Sequence, residues 1–478
     1  MSTPTPGRRV AQRQRQRPRL DRGAISGLAL VVVAGALLAT AGVVDADPEP
    51  VGAPETVPVD QVAMACLGSS EAGSGRAVTL AAPVPQTEES AGAGRVLVGP
   101  VGEEAREIGS AARGELTTLD APSRGSAVGV TATGDAAVGR ASFQVDTADG
   151  AGLAVQECLA PHARWWFTGG GAGLDHQSRL VMANLDPGPA VVDVVVHGPD
   201  GVAEDVATRG ITIAPGETRT VELVEVAPQA DELAVHVEAS RGRVVAGLSD
   251  AFATTPAAEP GQEWVPFQAG TARTLRLSPL PGRADRRTLV LANPSEREAL
   301  VDVEVAGESG SFAPTGAEQV RVPAGSVVTA DLSDAVGPDA SAVVLQSQVP
   351  VTATVRSSLG SDVAYASAAP ALSGPAAAVL EQGARAEVQL TAGAKGGAAT
   401  ATAYSANGEE VDSTELEAPP TATVGWSPKG KAAYVVVTPT RGVLAGGVSV
   451  EGDAGVAQVV LRPLPIVLEQ PVVVPVVG

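Results

Sequence analysis

The sequence predicts an all-β protein: an N-terminal transmembrane helix followed by tandem immunoglobulin-like β-sandwich repeats, with a β-propeller as the alternative. Three observations carry this prediction. Valine and alanine dominate a chain that is 44% hydrophobic but only 3% aromatic, and 55 glycines and 37 prolines punctuate it. Valine-rich segments broken by turn formers favour strands. Apolar residues alternate with period two, as in AVVDVVVHG, where Val192, Val194 and Val196 share one face and Asp193 takes the other. Finally, a block of about 100 residues repeats along the chain.

The apolar run that begins at Ala24 and ends at Val44 holds no charged residue over 21 positions. As a helix it would rise about 31 Å, enough to cross a bilayer core. Seven arginines precede it (Arg8, Arg9, Arg13, Arg15, Arg17, Arg19 and Arg22) against one acid, Asp21. Asp45, Asp47 and Glu49 follow it. Basic flanks stay in the cytoplasm, so residues 1–23 are expected inside as a basic tail, residues 24–44 in the membrane, and the bulk outside. Ala39-Thr40-Ala41 fits a signal-peptidase site, so release by cleavage near Ala41 is the alternative. The length of the run favours an anchor, because secretory apolar regions span only ~7 to 15 residues. Residues 45–62 then read as a Pro-rich acidic linker with no means to bury a core.

The formal charge is −21, and the first 44 residues carry +6, so the exterior part carries −27. Such a surface keeps a protein soluble and repels phosphate backbones, which excludes nucleic acid as a partner. The expected partners are the membrane, through residues 24–44, and an envelope protein or glycan. Cys66 and Cys158 are the two cysteines. In an oxidising exterior they are expected to form one disulfide. Ala63-Met64-Ala65 before Cys66 resembles a lipoprotein box, but it lies 22 residues beyond the apolar run, and such a box must abut that run. Neither cysteine has the neighbouring ligands of a metal site, and no cofactor is expected.

The repeat organises the exterior part. LVMANLDPGPAVVDVVVHGPDG starts at Leu180 and LVLANPSEREALVDVEVAGESG at Leu289, a constant offset of 109. Over the 44 positions from Leu180 to Leu223, 14 are identical, including Asn184/Asn293, Asp193/Asp302, Gly198/Gly307 and Gly216/Gly325. A period this long marks whole domains rather than solenoid turns. Weaker copies flank the clear ones: VQLTAGAKGGAATATAYSANG from Val388 has Ala392 where the Asn stood, and Arg241-Gly242 recurs as Arg441-Gly442. Four units follow: a degenerate first (63–158), two clear repeats (159–270 and 271–375) and a degenerate last (376–478). Each has about seven short strands, the density of an immunoglobulin-like sandwich. LAVHVEASRGRVVAGLSDAF is expected to be a hairpin turning at Ser240-Arg241-Gly242.

Chemistry is harder to find. His162, His176, His197 and His236 occupy no metal or nucleophile spacing, and G-x-S-x-G, S-x-x-K, P-loop and H-E-x-x-H motifs are missing from the sequence. Asn184 and Asn293 each end a strand, where an Asx side chain bonds the turning backbone. One segment is unusual: CLAPHARWWFTGGGAG places Trp165, Trp166 and Phe167 between a disulfide cysteine and a glycine-rich turn. In an aromatic-poor chain these rings read first as core filling, with a ligand or partner platform as the weaker reading. Alternation along the strand points Trp165 and Trp166 to opposite faces, so one is expected buried and its neighbour exposed.

The Arg-rich tail, the single anchor, the W-W-F segment with its glycines, and L-x-L-x-N followed by an A-x-V-x-V-x-V-x-G strand together resemble an uncharacterised actinobacterial family. That family consists of membrane-anchored envelope proteins classed as a domain of unknown function. The resemblance is carried best by residues 158–201 and next by 289–332. It implies an envelope location and repeated β architecture, and no activity. The sequence therefore leads to a non-enzymatic, membrane-anchored extracytoplasmic protein whose sandwiches serve binding or scaffolding. The alternative is an envelope hydrolase acting on glycan or peptide through carboxylates from separate strands.

Overall fold

A strand that alternates valine with polar residues buries one face only, and a second sheet must cover that face. The computed structural model describes residues 55–68, 75–84, 94–108, 113–148, 152–203, 208–255, 258–339, 341–453 and 455–470. Of these, Val57–Leu468 form one compact body. The expected tail, the span 24–44 and the linker as far as residue 54 lie outside the described residues. Among the described residues no helix is long and apolar enough to cross a membrane. The helical elements there include Leu223–Val226 and the 3-10 turn Gly134–Ala136.

The body is all-β and built from several antiparallel sheets. Arg164–Thr168, His176–Ala183, Ala190–Gly198, the two short pieces Gly201–Val202 and Ile211–Ile213, Thr218–Glu222, Ala234–Arg241, Val245–Phe252 and Gly261–Val265 are the strands of one unit. Counting the two short pieces as the fourth, there are eight strand positions rather than seven. They pair in the order 1-6-3-4 in one sheet and 5-2-7-8 in the other. The same pairings recur in the strands within 61–157, 272–367 and 376–460, where long continuous strands join the two sets into one sheet in each of the last two units. Between the two sheets of the unit that holds Arg164–Thr168 lie Trp165, Phe167, Leu180, Met182, Val194, Val237 and Leu248, all buried.

The expected hairpin at Gly242 is not one. Ala234–Arg241 pairs with the first and third strands, whereas Val245–Phe252 pairs with the second and eighth. The segment is a corner where the chain crosses from one sheet to the other. Gly242 makes the corner with φ of +71°, where a Cβ would press on Ala190. In the next unit the same crossing is one continuous strand, Ala342–Leu359. Alternation is the same for a hairpin and a crossing, so periodicity alone does not separate them.

Successive units pack face to face. Ala65, Leu67 and Ala127 of the first meet Val181, Ala183, Val245 and Trp264 of the second. Ala234 of the second meets Val290, Ala292 and Val327 of the third. Gln389 of the fourth exchanges two hydrogen bonds with the Leu280 backbone of the third (3.0 and 2.8 Å). The fourth and first then share one core, in which Val388, Tyr434 and Val448 join Val78, Phe143 and Val145. The result is a closed ring. Its centre is formed by the four eighth strands, Gly152–Glu157, Gly261–Val265, Asp362–Ser367 and Gly455–Val460, which touch in cyclic order, the last returning to the first. Only two of the six pairings in each unit join consecutive strands, so the ring is one of crossed sandwiches rather than of meandering blades. The ends of the body meet as well: Glu55–Pro58 pairs with Val467–Gln470, and Val59 N–H donates to Ile466 O at 3.0 Å.

Candidate functional site

The W-W-F segment is the first strand of its sandwich. Trp165 is fully buried inside it and its Nε1–H donates to Val244 O at 3.0 Å. Phe167 lies beside it in the same core. Trp166 points the other way, as alternation requires, yet it is only 8% exposed. Its ring stacks on His236 at 4.2 Å and lies 5.8 Å from His197, whose Nδ1 meets Gly325 O of the next sandwich at 3.0 Å. The outward face is therefore a junction between sandwiches. The expectation of one buried and one exposed tryptophan is corrected: an outer sheet face is solvent only when no neighbour covers it.

Cys66 and Cys158 are joined in a disulfide, tying the first strand of the first sandwich to the end of its last. Asn184 and Asn293 are both fully buried. Asn184 Nδ2 donates to Gly188 O and Ile213 O, and its Oδ1 accepts from Asp186 N–H. Asn293 repeats the pattern with Arg297 O, Val322 O and Ser295 N–H. Each asparagine pins the loop after the second strand to the end of the fourth.

A polar network crosses the junction of the second and third sandwiches. Asp250 accepts from Ser178 Oγ and Tyr365 OH, both at 2.5 Å, and faces His176 Nδ1 at 3.0 Å. Arg356 donates to His176 Nε2 at 3.0 Å and pairs with Glu232 at 2.6 Å. Burial would raise the Asp250 pKa, but the histidine and the two hydroxyl donors hold it below the usual value. Burial would lower His176, and Asp250 with Glu232 turns the net shift upward. The Arg356 guanidinium beside Nε2 pulls the other way and only reduces that rise. Serine, histidine and aspartate meet here, but Ser178 donates to the carboxylate and not to the imidazole, so it is not activated as a nucleophile. The His176 and Asp250 side chains are 1% and 0% exposed, which makes this a sealed joint.

Two acids sit where the four central strands meet. Asp362 Oδ2 accepts from Leu153 N–H (3.3 Å) and Val456 N–H (2.6 Å), so one carboxylate of the third sandwich caps strands of the first and fourth. Its position in the eighth strand is glycine in the other three units, Gly152, Gly261 and Gly455, and a Cβ on Gly152 or Gly455 would collide with its carboxyl group. Burial raises Asp362 to about 7, against the three N–H donors that lower it. Glu263 accepts from Trp264 N–H at 2.8 Å, and its pKa is pushed well above the usual range by burial and then by the charge of Asp362. Asp362 Oδ1 and Glu263 Oε2 have no hydrogen-bond partner among the described residues.

An open cavity of about 740 Å³ lies where Cys158–Ala163, the strand around Val62 and the C-terminal segment around Pro463 converge. Arg140, Arg243, Arg462, Glu157, Asp186 and His162 line it, with apolar walls from Met64, Leu159, Phe267 and Leu468. Arg462 lies over the Phe267 ring at 3.7 Å, donates to Phe267 O at 2.6 Å, and approaches Glu157 at 3.4 Å. Both side chains keep some exposure, 15% and 28%, so they are reachable from the cavity. Arg243 pairs with Asp186 at 2.8 Å. Burial lowers Arg462 and Arg140 to about 10 and raises Glu157 to about 7. His162 is lowered by burial and then by Arg462 and Arg243, which keeps it neutral. Among the described residues Arg140 donates to Ala136 O and Thr79 Oγ1, and its Nη2 has no partner there.

Sequence reasoning missed this cavity. Its residues come from seven separate stretches of the chain, and the signals were faint: Arg462 interrupts an apolar strand end, and Glu157 abuts the disulfide cysteine. Asp362 was more legible, as a charge in a frame of glycines. Among the described residues no cluster of three or more His, Cys, Asp or Glu has metal-binding geometry.

With fold and cavity in view, the chain falls in the class of repeated all-β proteins with an internal disulfide. It belongs to a family of unknown function, DUF5719, which matches residues 112–429, roughly two thirds of the chain. No curated protein matches it.

Proposed function

We propose that the protein is a membrane-anchored, extracytoplasmic protein of an actinobacterial cell envelope, holding immunoglobulin-like sandwiches as a rigid, non-enzymatic platform for binding or scaffolding. The observation that carries this reading is the closed ring, in which each sandwich covers a face of the next. Such a body keeps its surfaces in fixed relation, which is what a scaffold requires. The pairing of second with fifth and of third with sixth strands is that of the immunoglobulin fold, although the seventh strand lies beside the second. The domain limits near 159, 271 and 376, the anchor at residues 24–44 and the basic tail belong to the same reading, as does the disulfide, which suits an oxidising compartment.

Cysteine labelling at position 60 in intact cells tests the topology, combined with crosslinking and capture of partners from membranes. Labelling without permeabilisation and recovery of a defined envelope partner are expected. Labelling only after permeabilisation overturns the reading. A mature N-terminus at Gly42 shows instead a cleaved signal and a released protein.

A second reading, an envelope hydrolase acting on glycan or peptide, is favoured by one observation. Glu157, poised near neutrality, shares an open cavity with a second carboxylate from a separate segment, Asp186. Turnover of envelope glycan or peptide that disappears in Glu157→Gln would establish it over the scaffold.

A further inference from the structure

We propose that the cavity beside the strand Gln61–Leu67 is a docking lane for a short apolar peptide, which binds there in extended form as an added strand. The inference goes beyond the scaffold reading and does not depend on it. Gln61–Leu67 is the edge of its sheet: one side pairs with Ala127–Thr133, and the other is turned to the cavity. On that outer side Ala65 exchanges two hydrogen bonds with Leu159 (2.9 and 3.0 Å), so the Ala65 N–H and C=O point outward. Backbone groups alternate along a strand, which turns the N–H and C=O of Gln61 and Ala63 outward as well. The segment that starts the lane cannot fill it. Pro161 would fall opposite Ala63, where it has no N–H to give, and the chain leaves at His162 to bond Val244. At the other end Val59 N–H donates to Ile466 O at 3.0 Å. The lane is thus occupied at both ends and open between them: among the described residues nothing bonds the outward groups of Gln61 and Ala63. The same outer lane takes an antiparallel backbone in every sandwich, Trp166 with Gln268, Leu277 with Ala368 and Ala376 with Pro463.

The lane defines its guest. Two donors and two acceptors at strand spacing are met by a peptide backbone, and an open edge is a template for one. From Val59 to Ala65 the strand rises about 20 Å, with both ends taken, so the part that pairs is about four residues long. The cavity of about 740 Å³ beyond the edge leaves room for its side chains, and Leu159, Phe267 and Leu468 give it apolar walls. Arg243 and Arg462 are already engaged with Asp186 and Glu157, so recognition rests on main-chain hydrogen bonds and apolar contact rather than on charge. A chain of net charge −21 also disfavours an acidic guest.

The test uses the full chain in detergent micelles, with the blocked peptide acetyl-Ala-Val-Ala-Val-Ala-amide as probe and residue-resolved amide exchange as readout. In the free protein the Val62 and Met64 amides, which face Ala127–Thr133, should exchange slowly and those of Gln61 and Ala63 fast. Saturating peptide should slow Gln61 and Ala63 about tenfold or more and leave Val62 and Met64 as they were. The same peptide N-methylated at every amide should have no such effect, and an analogue with aspartate in place of valine should bind more weakly. Ala63→Pro removes an outward donor that the sheet does not use, so it should keep the melting temperature and weaken the peptide about tenfold. If that variant does not fold, the N-methylated peptide decides on the unaltered chain. Ala63 protected without peptide at every concentration would mean that the chain covers its own edge, and protection that grows with protein concentration would put a second copy in the lane. Either result overturns the proposal, as does an equal response to the N-methylated or the aspartate peptide.

Discussion

The Asp362 carboxyl group bridges strands of two other sandwiches at the centre of the ring. Its pKa is about 7 in the folded chain against an ordinary 3.8. The folded state therefore binds the proton more tightly than the unfolded state. The stability this confers is complete below about pH 4 and is lost as pH rises through 7, a difference of about 2 to 4 kcal/mol. Asp362→Asn should melt higher than the parent at pH 8, with the gap closing toward pH 4; a gap that widens on acidification would contradict the assignment. Taking the difference between the two proteins removes the opposite contribution of Asp250, whose depressed pKa makes its share of stability vanish in acid. The tryptophans make a second residue-scale case. Trp165→Ala and Trp166→Ala should each cost about 3 to 5 kcal/mol in chemical denaturation, one by emptying a core and the other by emptying a junction. Retention of full stability by Trp166→Ala would mean that the junction closes without it.

At the scale of elements, the strands themselves were legible. Val192, Val194 and Val196 announce a half-buried strand, and the recurrence of Asn184 as Asn293 marks the loop that each one pins. What periodicity did not reveal is sheet membership. Ala234–Arg241 and Val245–Phe252 look like a hairpin, and only the pairing with Val192 on one side and Leu180 on the other sends them to different sheets. Nor does a sequence say which polar strand residues face a neighbour: Arg356 is 180 residues from His176, and meets it only because two sandwiches stack. Replacing Arg356 by Met should strand Glu232 as an unpaired buried carboxylate and cost about 3 to 5 kcal/mol, read by urea titration. Restoring stability with Arg356→Met combined with Glu232→Gln would show that the loss is one of charge and not of packing. The disulfide closes a loop of 92 residues. In the chain-entropy model its reduction should cost about 4 to 5 kcal/mol, less if the reduced chain is compact, and the urea midpoint with and without reductant measures it.

For the whole molecule, shared faces imply shared stability. The second sandwich has Tyr365 of the third within its core, and the fourth has no core separate from that of the first. Melting should be one cooperative transition. A protease site inserted at Gly270, where added atoms would meet open space, should yield fragments that stay together on size exclusion after cutting. Fragments that separate without denaturant would show independent domains.

The return of the fourth sandwich onto the first also sets a schedule. Synthesis delivers Val78, Phe143 and Val145 hundreds of residues before Val388, Tyr434 and Val448, the partners that cover them. The earliest sandwich to be made is thus the last to be finished, and it waits through the production of the others with an apolar face uncovered. Contacts so far apart in sequence are slow to form and invite association between chains in the interval. The disulfide lies in this first sandwich and closes entirely within it, so the unit that waits longest is also the one that can be locked before its neighbour exists.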